Sequence, residues 1–154
     1  MPFPLKAAAR ALALLAIVLL ATIAPASATS SSSYKAQVID ATNSYRVTQG
    51  LSPVSNQKCL DRWARSQARW MARNKTLQHR PGRLYKIIKS CKLRGASENI
   101  AEGFRTGSST VVAWSGSPGH AANMSAPQMR LIGVSAVLSK QGVWYVAQVF
   151  GTRR

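Results

Sequence analysis

Apolar residues recur with a helical period in the first half of the chain. Residues 34–49 carry apolar side chains at spacings of three and four, which places them on one face of a helix that Gly50 ends. Residues 58–74 repeat this pattern, and Ser55 or Asn56 stands where an N-cap is expected. The pattern therefore predicts two amphipathic helices joined by a short turn.

The middle of the chain predicts shorter helical segments. Residues 98–103 follow Ser97 and end in a glycine, which resembles an N-cap and a stop signal and predicts one short helical turn. A further helix, with Ser108 or Ser109 as its cap, is predicted to run through Trp114.

The end of the chain changes to a period of two. Serine, proline and glycine first favour a loop over residues 116–123. Apolar and polar positions then alternate over residues 132–138 and again over 144–150, with a turn at 139–142 between them. This predicts an antiparallel hairpin after a mainly helical region, which indicates an α+β fold.

The first 28 residues have the organisation of a secretory signal peptide. Lys6 and Arg10 give a basic start, an apolar stretch follows at 11–24, and small residues stand at 26–28. The apolar stretch is shorter than the roughly 20 residues that a membrane span needs, which argues against a membrane anchor. We expect cleavage after Ala28 and export. The chain then divides into a signal peptide at 1–28, a disordered serine-rich stub at 29–33 and one domain at 34–154.

The charge of the chain is strongly basic, because 21 Lys and Arg residues face four Asp and Glu residues. Residues 58–94 hold twelve of the basic residues and one acid, Asp61. A helical spacing of three, four and four predicts one basic stripe. Its members are Arg62, Arg65, Arg69 and Arg73. The stripe is either a solvated face or a surface that attracts polyanions, and no specific nucleic-acid-binding motif accompanies it.

The two cysteines, Cys59 and Cys91, are an even pair in a chain that we expect to be exported. Such a pair favours a disulfide, with two buried free thiols as the alternative. No cysteine or histidine spacing indicates a structural zinc site.

Several short motifs together resemble the CAP superfamily, the cysteine-rich secretory protein/antigen 5/pathogenesis-related 1 domain, which is also called the SCP domain. Their order and spacing are more specific than any one of them, and the resemblance covers nearly all of the chain after the predicted signal peptide. The motifs are Asn43-Ser44-Tyr45-Arg46, Ala68-Arg69-Trp70-Met71-Ala72 with His79, Glu98-Asn99-Ile100-Ala101, Trp114 with Ser117-Pro118-Gly119-His120 and Asn123, Ile132-Gly133-Val134, and Gln148-Val149-Phe150-Gly151. The resemblance, which is nearest to the short bacterial members, implies an α-β-α sandwich with a central antiparallel sheet.

The resemblance also implies a cleft. Better-known members have two histidines and two glutamates there, which can bind a divalent metal such as zinc. His79 and Glu98 match one residue of each kind, whereas Ser117 and Tyr145 stand at the other two positions. His120 belongs to the bacterial motif, so His79, Glu98 and His120 are the candidate zinc ligands. Alternatively, His79 hydrogen-bonds Glu98 without a metal and His120 anchors its loop.

These observations lead to one principal functional hypothesis and two alternatives. We expect a secreted, monomeric, non-enzymatic module that binds an anionic cell-wall, lipid or surface ligand. Its cleft would be lined by His79, Glu98, Asn99 and His120, beside the arginine stripe. The first alternative is a metal-assisted hydrolase that acts on peptide or cell-wall bonds through zinc. The second is a cationic protein whose charge alone disrupts membranes.

Overall fold

The computed structural model describes residues 29–153. They form five helices and four strands. In chain order these are α1 (Ser31–Thr48), β1 (Ser55–Asn56), α2 (Lys58–Asn74), α3 (Arg83–Ser90), β2 (Gly95–Glu102), α4 (Gly107–Ser115), α5 (Pro118–Ser125), β3 (Leu131–Leu138) and β4 (Trp144–Thr152).

The strands form one sheet in the order β1-β3-β4-β2. The predicted hairpin is confirmed, because β3 and β4 pair antiparallel with Leu138 opposite Trp144 beside the turn. Strand β2 pairs antiparallel with the other side of β4, and the two-residue β1 adds a parallel pairing to β3. The sheet is therefore mixed, although its three long strands are antiparallel.

Helices cover both faces of the sheet, which gives the predicted α+β sandwich. Strand β4 shows why, since its alternate side chains enter two different cores. Val146 and Phe150 pack with residues of α1, α4 and α5 on one face. Ala147 and Val149 pack with residues of α2 and α3 on the other face.

The helical turn predicted at residues 98–103 is wrong, because this segment belongs to β2. Ile100 enters the core on the α2 side and Ala101 enters the core on the α1 side, which is the alternation of a strand buried on both faces. Gly103 does end the element, with φ of 83°. Pairing with β4 decides the conformation, and this pairing is not visible in the local sequence.

The loop predicted at residues 116–123 is also wrong in part, because α5 occupies most of it. Pro118 is at the start of this helix, where its missing N–H costs no hydrogen bond and its fixed φ suits the helix. The same proline that favoured a loop therefore begins a helix.

Three helix starts differ from the prediction. The serine run is not a disordered stub throughout, since Ser31 begins α1 and Ser30 caps it by accepting from the Ser33 N–H at 3.1 Å. Gln57, rather than Ser55 or Asn56, caps α2, because those two residues pair with β3. Thr106 caps α4 in a capping box with Ser109. Helix α3 was not predicted.

The predicted disulfide is confirmed between Cys59 at the start of α2 and Cys91 at the end of α3. It holds α3, and the loop that precedes it, against α2. No helix in residues 29–153 combines the length and apolar character that crossing a membrane requires. The predicted signal peptide lies outside the described residues.

Candidate functional site

A buried carboxylate lies at the centre of the predicted cleft. Glu98 on β2 accepts a hydrogen bond from Arg83 Nε at its Oε2, over 2.9 Å, and its Oε1 lies 2.9 Å from His79 Nδ1. The Glu98 side chain is 3% exposed, whereas that of His79 is 54% exposed. The loop between α2 and α3 therefore brings the His79 ring within hydrogen-bond distance of the Glu98 carboxylate.

Arg83 is a member of this site that the sequence analysis missed. It lies in the first turn of α3, is 4% exposed, and also donates from Nη2 to the Trp63 carbonyl. Its guanidinium lies 5.1 Å from the centre of the Trp63 ring. Nothing in the sequence separates it from the eleven other basic residues of the same stretch, because its burial follows from the packing of α3 on β2.

A cavity of about 370 Å³ opens beside these groups. The buried hydroxyl of Ser97 has no hydrogen-bond partner within the described part of the chain. Ser97 and Glu98 are neighbours on strand β2, so their side chains leave opposite faces of the sheet. The Ser97 hydroxyl therefore lies on the other face of the sheet from the Glu98 carboxylate. The cavity is lined by His79, Arg80, Gly82, Arg83, Leu84, Tyr85, Ser97, Glu98 and Asn123.

The predicted cleft residue Asn99 points into a buried polar chain. Its Nδ2 donates to Gln148 Oε1 over 3.0 Å and to the His120 carbonyl over 3.2 Å, and its Oδ1 accepts from Asn123 Nδ2 over 2.8 Å. Gln148 in turn donates to Thr42 on α1 over 2.8 Å. Asn99 therefore fixes the position of α5 relative to the sheet.

His120 is joined to Asn99 through its backbone, and its ring lies 6.3 Å from the Trp114 ring, measured between centres. Burial lowers the pKa of its imidazole below the ordinary value of 6.5, and the charge of His79 lowers it further. The hydrogen bond comes from the His120 backbone and not from its ring, so the anchoring role expected of the side chain stays a prediction.

Two residues of the quoted motifs hydrogen-bond the backbone of the edge strand β2. Trp114 Nε1 donates to the Ile100 carbonyl over 3.0 Å, and Asn123 Nδ2 donates to the Glu98 carbonyl over 3.4 Å. The two carbonyls are two residues apart and so point the same way. Side chains from the α4 and α5 helices therefore hydrogen-bond two carbonyls of β2 on the side of this strand that faces away from β4.

A zinc ion does not fit this donor set. Among residues 29–153, no three His, Cys, Asp or Glu side chains are grouped closely enough to hold a metal ion, so His120 does not join His79 and Glu98 in a site. Both oxygens of Glu98 already have partners, one of them a guanidinium. The metal-assisted hydrolase gains no support, and over the same residues no serine hydroxyl hydrogen-bonds either histidine ring.

The arginine stripe forms as the helical spacing predicts. All four arginines are exposed on α2 and line one groove of about 300 Å³ together with Ser66. Over residues 29–153, Asp61 pairs with Lys35, and Glu98 pairs with Arg83 and hydrogen-bonds His79, so none of the four stripe arginines has a carboxylate partner there.

Arg80 connects the groove to the cleft. It lines the cleft, and it donates from Nη2 to Ser66 in the groove and from Nε to Gln67, both over 2.9 Å. Its guanidinium lies 5.6 Å from the Trp70 ring centre. Burial lowers the pKa of Arg80, as does repulsion from the neighbouring Arg83, while Glu98 acts in the opposite direction. The groove and the cleft are therefore neighbouring parts of one basic surface.

Comparison with known proteins places this chain in a family. The model of the cysteine-rich secretory protein family, CAP, matches residues 39–150. The uncharacterised protein YkwD of Bacillus subtilis is 34% identical over 123 residues, which cover 77% of this chain and 47% of YkwD. The chain thus spans about half the length of this relative.

Solved structures share the fold at lower identity. An extracellular protein of Bacillus anthracis with an SCP domain superposes with a TM-score of 0.68 at 22% identity, over 80% of this chain and 41% of that protein. An outer surface protein of Borrelia burgdorferi gives a TM-score of 0.68 at 20% identity, over 76% of this chain and 90% of that protein. Taken with the family match, these comparisons show that the chain belongs to the CAP family of cysteine-rich secretory proteins.

Proposed function

We propose that this protein is a secreted, non-enzymatic binding module for an anionic extracellular ligand such as a cell-wall polymer, a lipid or a surface. The observation that carries the proposal is the groove on α2, where four exposed arginines have no carboxylate partner within the described residues. The extracellular and outer-surface descriptions of the structural neighbours support a location outside the cell.

Arginine is well suited to this task. Its planar guanidinium donates paired hydrogen bonds to phosphate and carboxylate groups, and it remains charged at every physiological pH. Four such groups spaced along 12 residues of one helix present a row of positive charge to a linear polyanion. Arg80 extends the row toward the cleft.

The cleft is better suited to shape this surface than to catalyse a reaction. Glu98 has both oxygens occupied by Arg83 and His79, so it holds these side chains in place. An activated serine needs a hydrogen bond to its base, and none joins a serine to His79 or His120 in the described part of the chain.

The test is charge reversal in the groove. The variant Arg65→Glu/Arg69→Glu is compared with the native protein for binding of inorganic polyphosphate by calorimetry. Each cation near an anionic surface contributes about 1 kcal/mol, so we expect affinity to fall by at least about tenfold. Binding by the native protein should also weaken as salt is added, because salt screens exposed charges.

The matched control is Arg105→Glu/Arg153→Glu, which changes the net charge by the same amount at exposed positions outside the groove. It should lose much less affinity than the groove variant. Equal losses in the two variants would show that net charge, and not the groove, drives binding. Binding that neither salt nor charge reversal weakens would overturn the proposal.

A further inference from the structure

The arginines of the groove stand at nearly regular intervals along α2. Because an α-helix rises about 1.5 Å per residue, the steps from Arg62 to Arg65, Arg69 and Arg73 are about 4.5, 6 and 6 Å along its axis. Around the axis, the four positions fall within about 80° of one another. The groove therefore presents four guanidinium groups in a single row about 16 Å long.

Helix stability does not account for this row. Like charges three and four residues apart on a helix repel each other, so a stripe of one sign lowers helix stability. A solvated face could carry charges of both signs instead. The helix dipole favours a cation in the last turn, where Arg73 lies, but not at Arg62 or Arg65 in the first half of α2. The row therefore destabilises α2 unless bound anionic groups offset the repulsion.

The length of the row distinguishes between polyanions. Because three backbone bonds of an extended peptide span at most about 3.6 Å, six bonds between successive phosphates span up to about 7 Å and two bonds span less than about 3 Å. Glycerol phosphate polymers have the first spacing and inorganic polyphosphate has the second. A glycerol phosphate chain slightly short of full extension thus places one phosphate beside each arginine. Four phosphates of polyphosphate cover only about half of the row.

The lining of the groove suits a polyol better than a nucleobase. Single-stranded nucleic acid is bound by aromatic rings on which its bases stack, and the described groove lining consists of arginines and Ser66. The tryptophan rings of α2 lie against other arginines, Trp63 against Arg83 and Trp70 against Arg80. The Ser66 hydroxyl accepts from Arg80, so its own O–H can still donate to an oxygen of an uncharged spacer.

We propose that the groove recognises a polymer of polyol phosphate repeats, specifically poly(glycerol phosphate), by placing one phosphate against each arginine of the row. The inference rests on the proposed function and names the ligand class of the same groove. Its distinguishing claim is that the spacing of the negative charges on the ligand, and not their number, decides affinity.

The experiment compares a synthetic glycerol phosphate tetramer with inorganic tetraphosphate, which carries at least as many charges, in calorimetric titrations of the folded protein. We expect the tetramer to bind at least about tenfold more tightly, since it contacts two more arginines and each contributes about fivefold near an anionic group. For the same reason, affinity should rise at least about tenfold from the dimer to the tetramer. It should rise less than about threefold from the tetramer to the hexamer, because the row then has no further arginine to add.

The variant Arg62→Gln shortens the row at one end. It should weaken binding of the tetramer by about fivefold and leave binding of the dimer nearly unchanged, because the dimer can bind further along the row. The matched control, Arg105→Gln, removes the same charge at an exposed position outside the groove. It should bind both oligomers like the native protein, and equal losses in the two variants would contradict the inference.

Three further outcomes separate this inference from the proposed function. Tetraphosphate that binds as tightly as the glycerol phosphate tetramer, and that still loses affinity in Arg65→Glu/Arg69→Glu, overturns the inference alone. A thymidine oligonucleotide with four phosphates that binds more tightly than the tetramer would indicate recognition of bases and also overturns it. Absence of binding by polyphosphate and by every oligomer overturns both the inference and the proposed function.

Discussion

At the scale of single residues, Arg46 is a charged side chain that is fully buried and has no carboxylate partner among the described residues. Its guanidinium donates four hydrogen bonds to backbone carbonyls, over distances of 2.6 to 3.1 Å. The carbonyls belong to Ser52, Met124, Ala126 and Met129. Burial lowers the pKa of Arg46, and nearby Arg130 lowers it further. Arg46 therefore joins the end of α1 to the segment between α5 and β3.

Replacing Arg46 by methionine should lower the free energy of unfolding by about 3 kcal/mol or more, because each unsatisfied buried carbonyl costs about 1–3 kcal/mol. Urea unfolding followed by circular dichroism measures this loss. The same substitution at exposed Arg62 should change stability by no more than about 0.5 kcal/mol. Equal effects at both positions would show that the four hydrogen bonds contribute little.

His120 should make the protein less stable in acid. Its folded-state pKa is below its unfolded value, so the unfolded chain binds the proton more readily. Its contribution to stability is complete above the ordinary pKa of 6.5 and is lost as pH falls from there toward the lower folded value. The difference in unfolding free energy between the native protein and His120→Gln should therefore shift against the native protein below about pH 6.5. Parallel pH profiles for the two proteins would contradict this expectation.

Zinc binding provides a direct test of the cleft. Because Arg83 and His79 occupy both oxygens of Glu98, we expect no calorimetric signal for zinc at micromolar concentrations. His79→Ala serves as the comparison. Tight zinc binding by the native protein that is lost in His79→Ala would contradict the conclusion that zinc does not fit the donor set of the cleft.

Residue chemistry could be predicted from the sequence where a spacing or a family motif limited the choices. The motifs shared with the CAP superfamily directed attention to His79 and Glu98, and helical spacing identified the arginine stripe. Arg83 and Arg46 could not be separated from other arginines, since burial depends on contacts with residues far away in the sequence.

At the scale of elements, the packing of α2 on the sheet depends on a glycine. A Cβ added at Gly133 of β3 would lie 2.2 Å from the Leu60 backbone carbon and 2.3 Å from the Asp61 nitrogen. Gly133 thus permits a close approach of helix and strand. Asp61 uses this proximity, since its Oδ1 accepts from the Val134 N–H over 3.0 Å.

The variant Gly133→Ala should be destabilised by about 1–3 kcal/mol, because the backbone of α2 must move away from β3. Thermal unfolding measures the effect. Gly119→Ala is the control, since nothing lies within 4 Å of a Cβ there and alanine is the better helix former by up to about 1 kcal/mol. A Gly133→Ala protein as stable as the Gly119→Ala protein would contradict the close approach.

Elements with a strong period of their own could be predicted, as α1, α2 and the hairpin show. Elements whose conformation depends on pairing or packing with other elements could not be predicted. Strand β2 has local cap and stop signals but takes its conformation from β4, and α5 begins with the residues of a turn.

At the scale of the whole molecule, charge repulsion should dominate the response to salt. The chain carries 21 basic residues and four acidic ones. Raising sodium chloride from about 0.01 M to about 0.15 M shortens the screening length from about 30 Å to about 8 Å, which weakens this repulsion. The free energy of unfolding in urea should therefore rise, and it should rise less for Arg65→Glu/Arg69→Glu. A native protein that loses stability as salt is added would show that attractive ion pairs outweigh repulsion.

The hydrogen bonds from Trp114 and Asn123 to β2 also bear on self-association. An exposed strand edge is a template on which another chain can add a strand and begin a fibril. In the described sheet one edge strand, β1, has two residues, and the other, β2, has carbonyls occupied by side chains of α4 and α5. Strand addition at β2 would first require these helices to detach. The tryptophan and the asparagine of the quoted motifs therefore obstruct the addition of another strand at this edge.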